Sequence, residues 1–246
     1  MIPIRDTQPN TQSPVICYGL IGLMFMVFLA QIRLDLAGDL RDWVGYWGMI
    51  PHEITGLWQE GIAKGNPAVW VAFLWRCFAI LPALFLHKSY AQILGNLLFL
   101  FVFGQRLERE MGRWGFLGFY LLSGVMMGLV RVFLDPDVAL PIIGANGAIA
   151  ALLGAYVIRF PKAKIETVLP LLIVFIPMQL PVTFYLFWWF LQQFSYGIGS
   201  FDLQVNPLTP GYVLQQLLAI AWGMAIAYFW LNPQVSQKRA LHQGKE

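Results

Sequence analysis

Apolar residues run along this chain in blocks long enough to cross a bilayer, separated by short polar breaks. A membrane helix needs about 20 apolar residues. Six blocks reach that scale: Val15–Ile32, His87–Gly104, Trp114–Val130, Ile142–Phe160, Val168–Leu191 and Tyr212–Leu231. Pro170, Pro177 and Pro181 fall in the fifth, so its pattern predicts a kinked or broken helix whose freed carbonyls are satisfied by neighbours. The stretch Asn66–Leu86 is also apolar, but it carries Arg76 at its centre and Pro82 near its end. A charge at the bilayer centre costs at least about 2.5–3.5 kcal/mol. That stretch is therefore read as part of a long first loop, Arg33 to Leu86, dipping into the interface, where its Trp residues suit the headgroup layer. The pattern predicts an all-α membrane protein: a tail over residues 1–14, one transmembrane domain over 15–231, and a second tail over 232–246.

Composition agrees. Of the 246 residues, 58% are hydrophobic and 12% charged, where a soluble domain averages about 45–50% and about 25%. The net charge of +3 comes from basic residues scattered over short loops, which argues for membrane orientation and against nucleic acid. With six spans, one side collects Arg5, then Arg106, Arg109 and Arg113, then Arg159, Lys162 and Lys164, then Lys238, Arg239 and Lys245. These outnumber the basic residues of the opposite loops, so both termini are expected in the cytoplasm, as in a multi-pass protein of a bacterial-type inner or internal membrane. The N-terminus lacks a basic region followed by a small-residue cleavage site, so the first span is expected to be retained. Cys17 and Cys77 have no disulfide or metal spacing. No histidine cluster and no glycine-rich phosphate loop occurs either, so neither a metal nor another cofactor is expected.

Small residues form stripes four apart in the fourth span (Gly147, Ala151, Ala155) and the sixth (Gly211, Ala219, Gly223, Ala227). In lipid such stripes let helix backbones approach closely. Gln215 interrupts the second stripe, and four other carboxamides mark these spans and the second: Gln92 and Asn96 in the second, Asn146 at the start of the fourth and Gln216 in the sixth. Each is costly in a low dielectric without a partner. A polar pocket shared by the three spans would supply those partners; so would separate bonds to nearby carbonyls.

The order and spacing of these residues resemble the rhomboid intramembrane serine proteases. The family's first-loop Trp-Arg pair is matched by Trp75-Arg76, and its His-x-x-x-Asn motif by Gln92 and Asn96. His87 stands where the family has an upstream loop histidine. Glu108 and Gly112 match a Glu followed four residues later by Gly. The nucleophile motif Gly-x-Ser-Gly is replaced by Gly144-Ala145-Asn146-Gly147, and the last-span histidine motif by Gly211, Gln215, Gln216, Ala219 and Gly223. The resemblance implies a rhomboid-like bundle of six transmembrane helices. It also implies that Asn146 and Gln216 occupy the positions of the catalytic serine and histidine, with Gln92 and Asn96 on the oxyanion side.

A carboxamide supplies neither a nucleophilic hydroxyl nor a base that titrates near neutral pH. The expected protein is a pseudoprotease. It would bind the transmembrane segments of another membrane protein and assist that protein's assembly, retention or turnover. Two alternatives stand beside it: an active protease with a noncognate nucleophile, and a structural subunit of a larger membrane complex. A transporter would usually bury ionisable residues along a path, and the last two spans have none. Asn146 and Gln216 are expected to bond each other across the gap between the fourth and sixth spans. The partner and the oligomeric state are not encoded in any motif.

Overall fold

The computed structural model describes residues 2–6, 13–171, 174–206 and 208–230. Leu231 and the second tail, with Lys238, Arg239 and Lys245, lie outside the described residues. Ile2–Asp6 form a strand, β1. The first apolar block becomes helix α1, Val15–Ala37, which ends at Gly38 in the left-handed conformation. The long first loop folds into four short helices: α2 (Leu40–Trp47), α3 (Pro51–Lys64), α4 (Pro67–Phe78) and α5 (Ile80–Ala83). Pro51 and Pro67 each open a helix, where their missing N–H is no loss. Asn66–Leu86 is thus divided between α4 and α5. Arg76 turns toward α2 and α3, pairing with Glu53 and donating to the carbonyls of Gly45 and Tyr46.

The second block forms one continuous rod: α6 (Tyr90–Phe99), a π-helical segment (Leu100–Gly104) and α7 (Gln105–Met111). It starts later than the hydrophobic pattern predicts because Ser89 caps it, its Oγ accepting the Gln92 N–H at 3.0 Å. His87 is left in the loop before the helix. After Gly112 come α8 (Arg113–Leu134) and α9 (Asn146–Arg159). The helix α9 also starts late, because Ile143 is held in a loop by both amide atoms of Asn206, at 2.7 and 2.8 Å.

The fifth block departs furthest from expectation. Val168 to Pro181 is not a kinked helix; it lies in two antiparallel strands, β2 (Lys164–Leu171) and β3 (Val174–Pro181). Pro170, Pro177 and Pro181 each remove a helix donor and disfavour helical backbone in the residue before, while Val and Ile between them favour extended chain. Helix resumes only at α10 (Phe184–Gln193), followed by a 3₁₀ turn (Phe194–Gly197) and α11 (Pro210–Trp230). The outer edge of β2 pairs with β1, giving a sheet of order β1-β2-β3. The chain is mostly helical, but it is not all-α, and residues 2–6 are not merely tail. Among the described residues, α1, α8 and α11 are long and apolar enough to cross a membrane, whereas α9 is shorter.

The centre of the bundle is α9, whose residues are buried continuously from Asn146 to Val157. It packs most closely against α11. A Cβ on Gly154 would lie 2.1 Å from the Ile220 carbonyl oxygen, and one on Gly223 would lie 1.8 Å from that of Ala151. The two backbones touch, as the small-residue stripes imply. Glu108 closes the opposite side, its carboxylate accepting the free N–H groups of Ile16 (3.0 Å) and Cys17 (2.7 Å) at the start of α1. Arg131 pairs with Asp135 at 3.0 Å, and Asp135 accepts from Thr209 at 2.6 Å, tying the end of α8 to the start of α11.

Gly223→Val is expected to prise α11 from α9 and destabilise the protein by about 1–3 kcal/mol or more. Gly22→Ala, where no atom lies within 4 Å, serves as the control. Thermal unfolding in detergent should separate the two variants clearly.

Candidate functional site

Three of the sequence-marked amides, Gln92, Asn96 and Asn146, converge on one point between α6 and α9, facing α11. Asn146 opens α9, and its backbone approach is set by Gly144, which takes φ of 110° and donates to the Ala83 carbonyl at 2.8 Å. A side chain on Gly144 would strike the Gln92 amide, its Cβ 2.3 Å from Nε2. Glycine is required there twice over, by conformation and by space.

The Asn146 side chain is satisfied at both ends. Its Oδ1 accepts from Asn96 Nδ2 at 3.2 Å and from Gln92 Nε2 at 3.4 Å, and its Nδ2 donates to the Tyr212 hydroxyl at 3.0 Å. That hydroxyl donates onward to Gln193 Oε1 at 2.6 Å. The other end of the network is equally ordered. Asn96 Nδ2 lies 3.1 Å from His87 Nε2, and His87 Nδ1 lies 3.1 Å from the Phe85 carbonyl. An amide NH₂ facing one ring nitrogen and a carbonyl facing the other fix a neutral imidazole with its proton on Nδ1. Gln31 holds the His87 backbone from both sides, at 2.9 and 3.0 Å, and Gln92 Oε1 accepts the Lys88 N–H at 2.8 Å. His87, Gln92 and Asn96 are fully buried, and Asn146 is 6% exposed.

Gln216 is buried too, but it does not bond Asn146. Its Oε1 accepts a long bond of 3.4 Å from the Trp189 indole, and its Nε2 has no hydrogen-bond partner. Tyr212, one turn earlier on the same face of α11, takes the place expected for Gln216. The anticipated Asn146–Gln216 bond is therefore replaced by an Asn146–Tyr212–Gln193 chain, because Tyr212 reaches further than a glutamine one turn below it. The spacing of four puts Tyr212 and Gln216 on one face, but does not by itself say which of them meets Asn146. Gln193, Gln31 and Asn206 carried no motif and were missed. Gln215 donates instead to the Met127 carbonyl at 2.8 Å, linking α11 to α8.

The remaining motif positions serve packing. Gly147 accommodates Met127, whose Cβ would lie 2.6 Å from an added Cβ, and Gly211 makes room for the Asp135 carboxylate. Gly112 takes φ of 74° in the turn between α7 and α8, one turn beyond Glu108. Trp75 packs at a tilt against Tyr46 and Trp47, ring centroids 5.6 and 5.8 Å apart, beside the Arg76–Glu53 pair.

Chemically the cluster is a set of carboxamides, one phenol and one neutral imidazole. Ser89 is committed to capping α6. Among the described residues no three His, Cys, Asp or Glu side chains gather as a metal site. Beside the cluster, between α6 and α10, runs an apolar groove of about 650 Å³, lined by Ile21, Leu94, Leu98, Phe101, Trp188 and Gln192. Gly95 lets Gln192 lie against α6, since a Cβ there would sit 1.9 Å from its Nε2.

Removing the acceptor that joins Gln92 and Asn96 should be felt more than removing Gln216. Asn146→Ala is expected to lower stability by about 1–3 kcal/mol by taking from those buried amides the acceptor they share. Gln216→Leu is expected to cost less than about 1 kcal/mol. Comparing the two unfolding midpoints in one detergent tests the assignment.

The Rhomboid domain family model matches residues 72–232. YdcA of Bacillus subtilis (strain 168), named as a candidate rhomboid protease, is 29% identical over 107 residues, covering 44% of this chain and 52% of that protein. The RHOMBOID-like protein 5 of Arabidopsis thaliana is 32% identical over 81 residues, 33% of this chain and 25% of that protein. The chloroplastic Rhomboid-like protein 11 of the same plant is 35% identical over 75 residues, 30% of this chain and 26% of that protein. The chain thus spans about half the length of the first of these relatives and about a quarter of the other two. A matched domain of this kind, with apolar helices long enough to cross lipid, makes this an integral membrane protein, and the chain belongs to the rhomboid family.

Proposed function

We propose that this chain is a rhomboid-like pseudoprotease: a six-span membrane protein that holds a transmembrane segment of another membrane protein and assists its assembly, retention or turnover. The observation that carries this reading is the placement of the Asn146 side-chain carbonyl. It draws the amide donors of Gln92 and Asn96 onto itself, the pair that the family resemblance places on the oxyanion side. A substrate carbonyl needs those donors free as charge develops on its oxygen. Here an acceptor built into the chain already occupies them, at the position where a protease carries its nucleophile. Gln216 offers no base to replace the missing histidine.

The groove between α6 and α10 is the surface we assign to the partner. Its walls are apolar apart from Gln192, which suits a lipid-embedded helix carrying one polar group. Charge supports an orientation: Arg106 and Arg109 in α7, Arg113 at the start of α8, Arg159 at the end of α9, Lys162 just before β2 and Lys164 at its start gather towards the sheet, the end we assign to the cytoplasm. A purely structural role in a larger complex differs from this reading only in how long the partner stays.

A photoreactive residue at Leu94 or Trp188, with Leu218 on α11 as control, tests the assignment in the native membrane. One membrane protein, intact and captured from both groove positions but not from Leu218, is the expected result. Capture of lipid alone sinks the groove as a docking site. Cleaved fragments from the unaltered protein sink the pseudoprotease reading. An Asn146→Ser, Gln216→His variant run alongside reports whether two side chains suffice to recover cleavage.

A further inference from the structure

The geometry points to the N-terminal strand β1 as a strap that limits how far α10 can move away from α6. This rests on the proposed docking role only in assigning a purpose to the groove; the strap itself is a matter of contacts. Residues 2–6 also lie outside the matched family domain, which begins at residue 72.

At the sheet end of the groove, α6 continues through the π-helical segment into α7, and β1 lies against that segment. Asp6, the last residue of β1, pairs with Arg106 of α7 and accepts from the Tyr156 hydroxyl of α9. Its side chain is only 7% exposed, a setting in which a charge-assisted bond is worth more than on an open surface. The Arg106 guanidinium is further fixed over the Phe160 ring, 3.7 Å from its centroid. The other side of β1 pairs along β2, from Ile2 with Val168 to Asp6 with Ile165.

From β2 the path continues to α10. Thr167 bonds the Tyr185 hydroxyl in the first turn of α10, with both residues buried. The Val182 N–H, two residues before α10, donates to the Ala163 carbonyl at 3.1 Å, just before β2. An unbroken chain of contacts therefore runs from α7 through Asp6, β1, β2 and Thr167 to Tyr185. It crosses the groove at the sheet end.

The opposite end of α10 is held differently. There the segment after the 3₁₀ turn lies along the start of α6: Tyr90 N–H donates to the Gly199 carbonyl at 3.2 Å and Phe201 N–H to the Lys88 carbonyl at 3.0 Å. Gly199 takes φ of 62° within it. The helix is short and anchored at both ends; between them Trp189 and Tyr185 pack on Phe99 and Phe103, ring to ring at 5.0 and 5.4 Å, and the apolar groove opens beside these contacts along Trp188 and Gln192. Releasing the strap leaves the far anchor as a hinge, about which the Tyr185 end swings outward.

Hydrogen exchange read by mass spectrometry on the full chain in detergent tests this without any partner protein. Asp6→Ala, and separately deletion of residues 2–6, should raise exchange over Tyr185–Gln193 about tenfold while leaving α8 and α11 within about twofold. Arg106→Lys keeps the charge and should stay near the unaltered protein. An unchanged α10 in the deletion variant overturns the strap, as does a rise shared equally by α8 and α11. If the groove crosslinks fail while α10 loosens selectively, the strap stands and the docking reading falls. Crosslinks that succeed with α10 unmoved leave the docking reading standing without a strap.

Discussion

Backbone contact between α9 and α11 is the constraint on which the rest of the bundle depends. Lipid offers no hydrophobic drive to press helices together, so their association rests on close packing and internal hydrogen bonds. Gly154 and Gly223 let each helix meet a carbonyl of the other. That approach sets where Tyr212 falls relative to Asn146, and so whether their side chains can meet at 3.0 Å. It also lets the short α9 sit at the centre with its apolar and polar groups equally withdrawn from the surroundings.

The polar cluster follows a related logic. Its bonds join neutral groups, with Asn96 Oδ1 alone of the four carboxamide ends of Asn96 and Asn146 left without a partner. Asn146 spends its carbonyl on α6 and its amide on α11, His87 is locked as one neutral tautomer, and Gln92 bonds the loop before its own helix as well as Asn146. A dyad that shuttles protons requires a site that tolerates charge. Here the described bonds join fixed dipoles on three helices, α6, α9 and α11.

Much of this was legible in the sequence, and what was not has physical causes. The positions of Gln92, Asn96, Asn146 and Gln216 followed from order and spacing along periodic apolar helices, where residues four apart share a face. Their convergence with Tyr212 depended on the reach of particular side chains, which spacing does not encode. The β-hairpin was hidden because a continuous apolar run cannot be assigned to strand or helix by periodicity alone. Pro170, Pro177 and Pro181 were visible, and treating them as kinks understated them: three prolines within 12 residues leave too few donors for a helix to re-form between them. Strand β1 was hidden for another reason. Its partner lies more than 150 residues away in the chain, and five residues carry little periodicity of their own.

That separation has a consequence for the order in which the molecule is made. Strand β1 is made long before the residues it pairs with, and so is among the last elements to find its place. Asp6 must wait for Arg106, which is 100 residues further on, and for Tyr156, 150 residues further on; β1 must wait longer still for β2. Until then the amino-terminal strand has no edge to join, and closing so long a loop carries an entropic penalty that local helix formation does not. The helical rods assemble from near neighbours, and the sheet end closes over them afterwards. Completion of the sheet therefore marks a chain whose α9 is already in position.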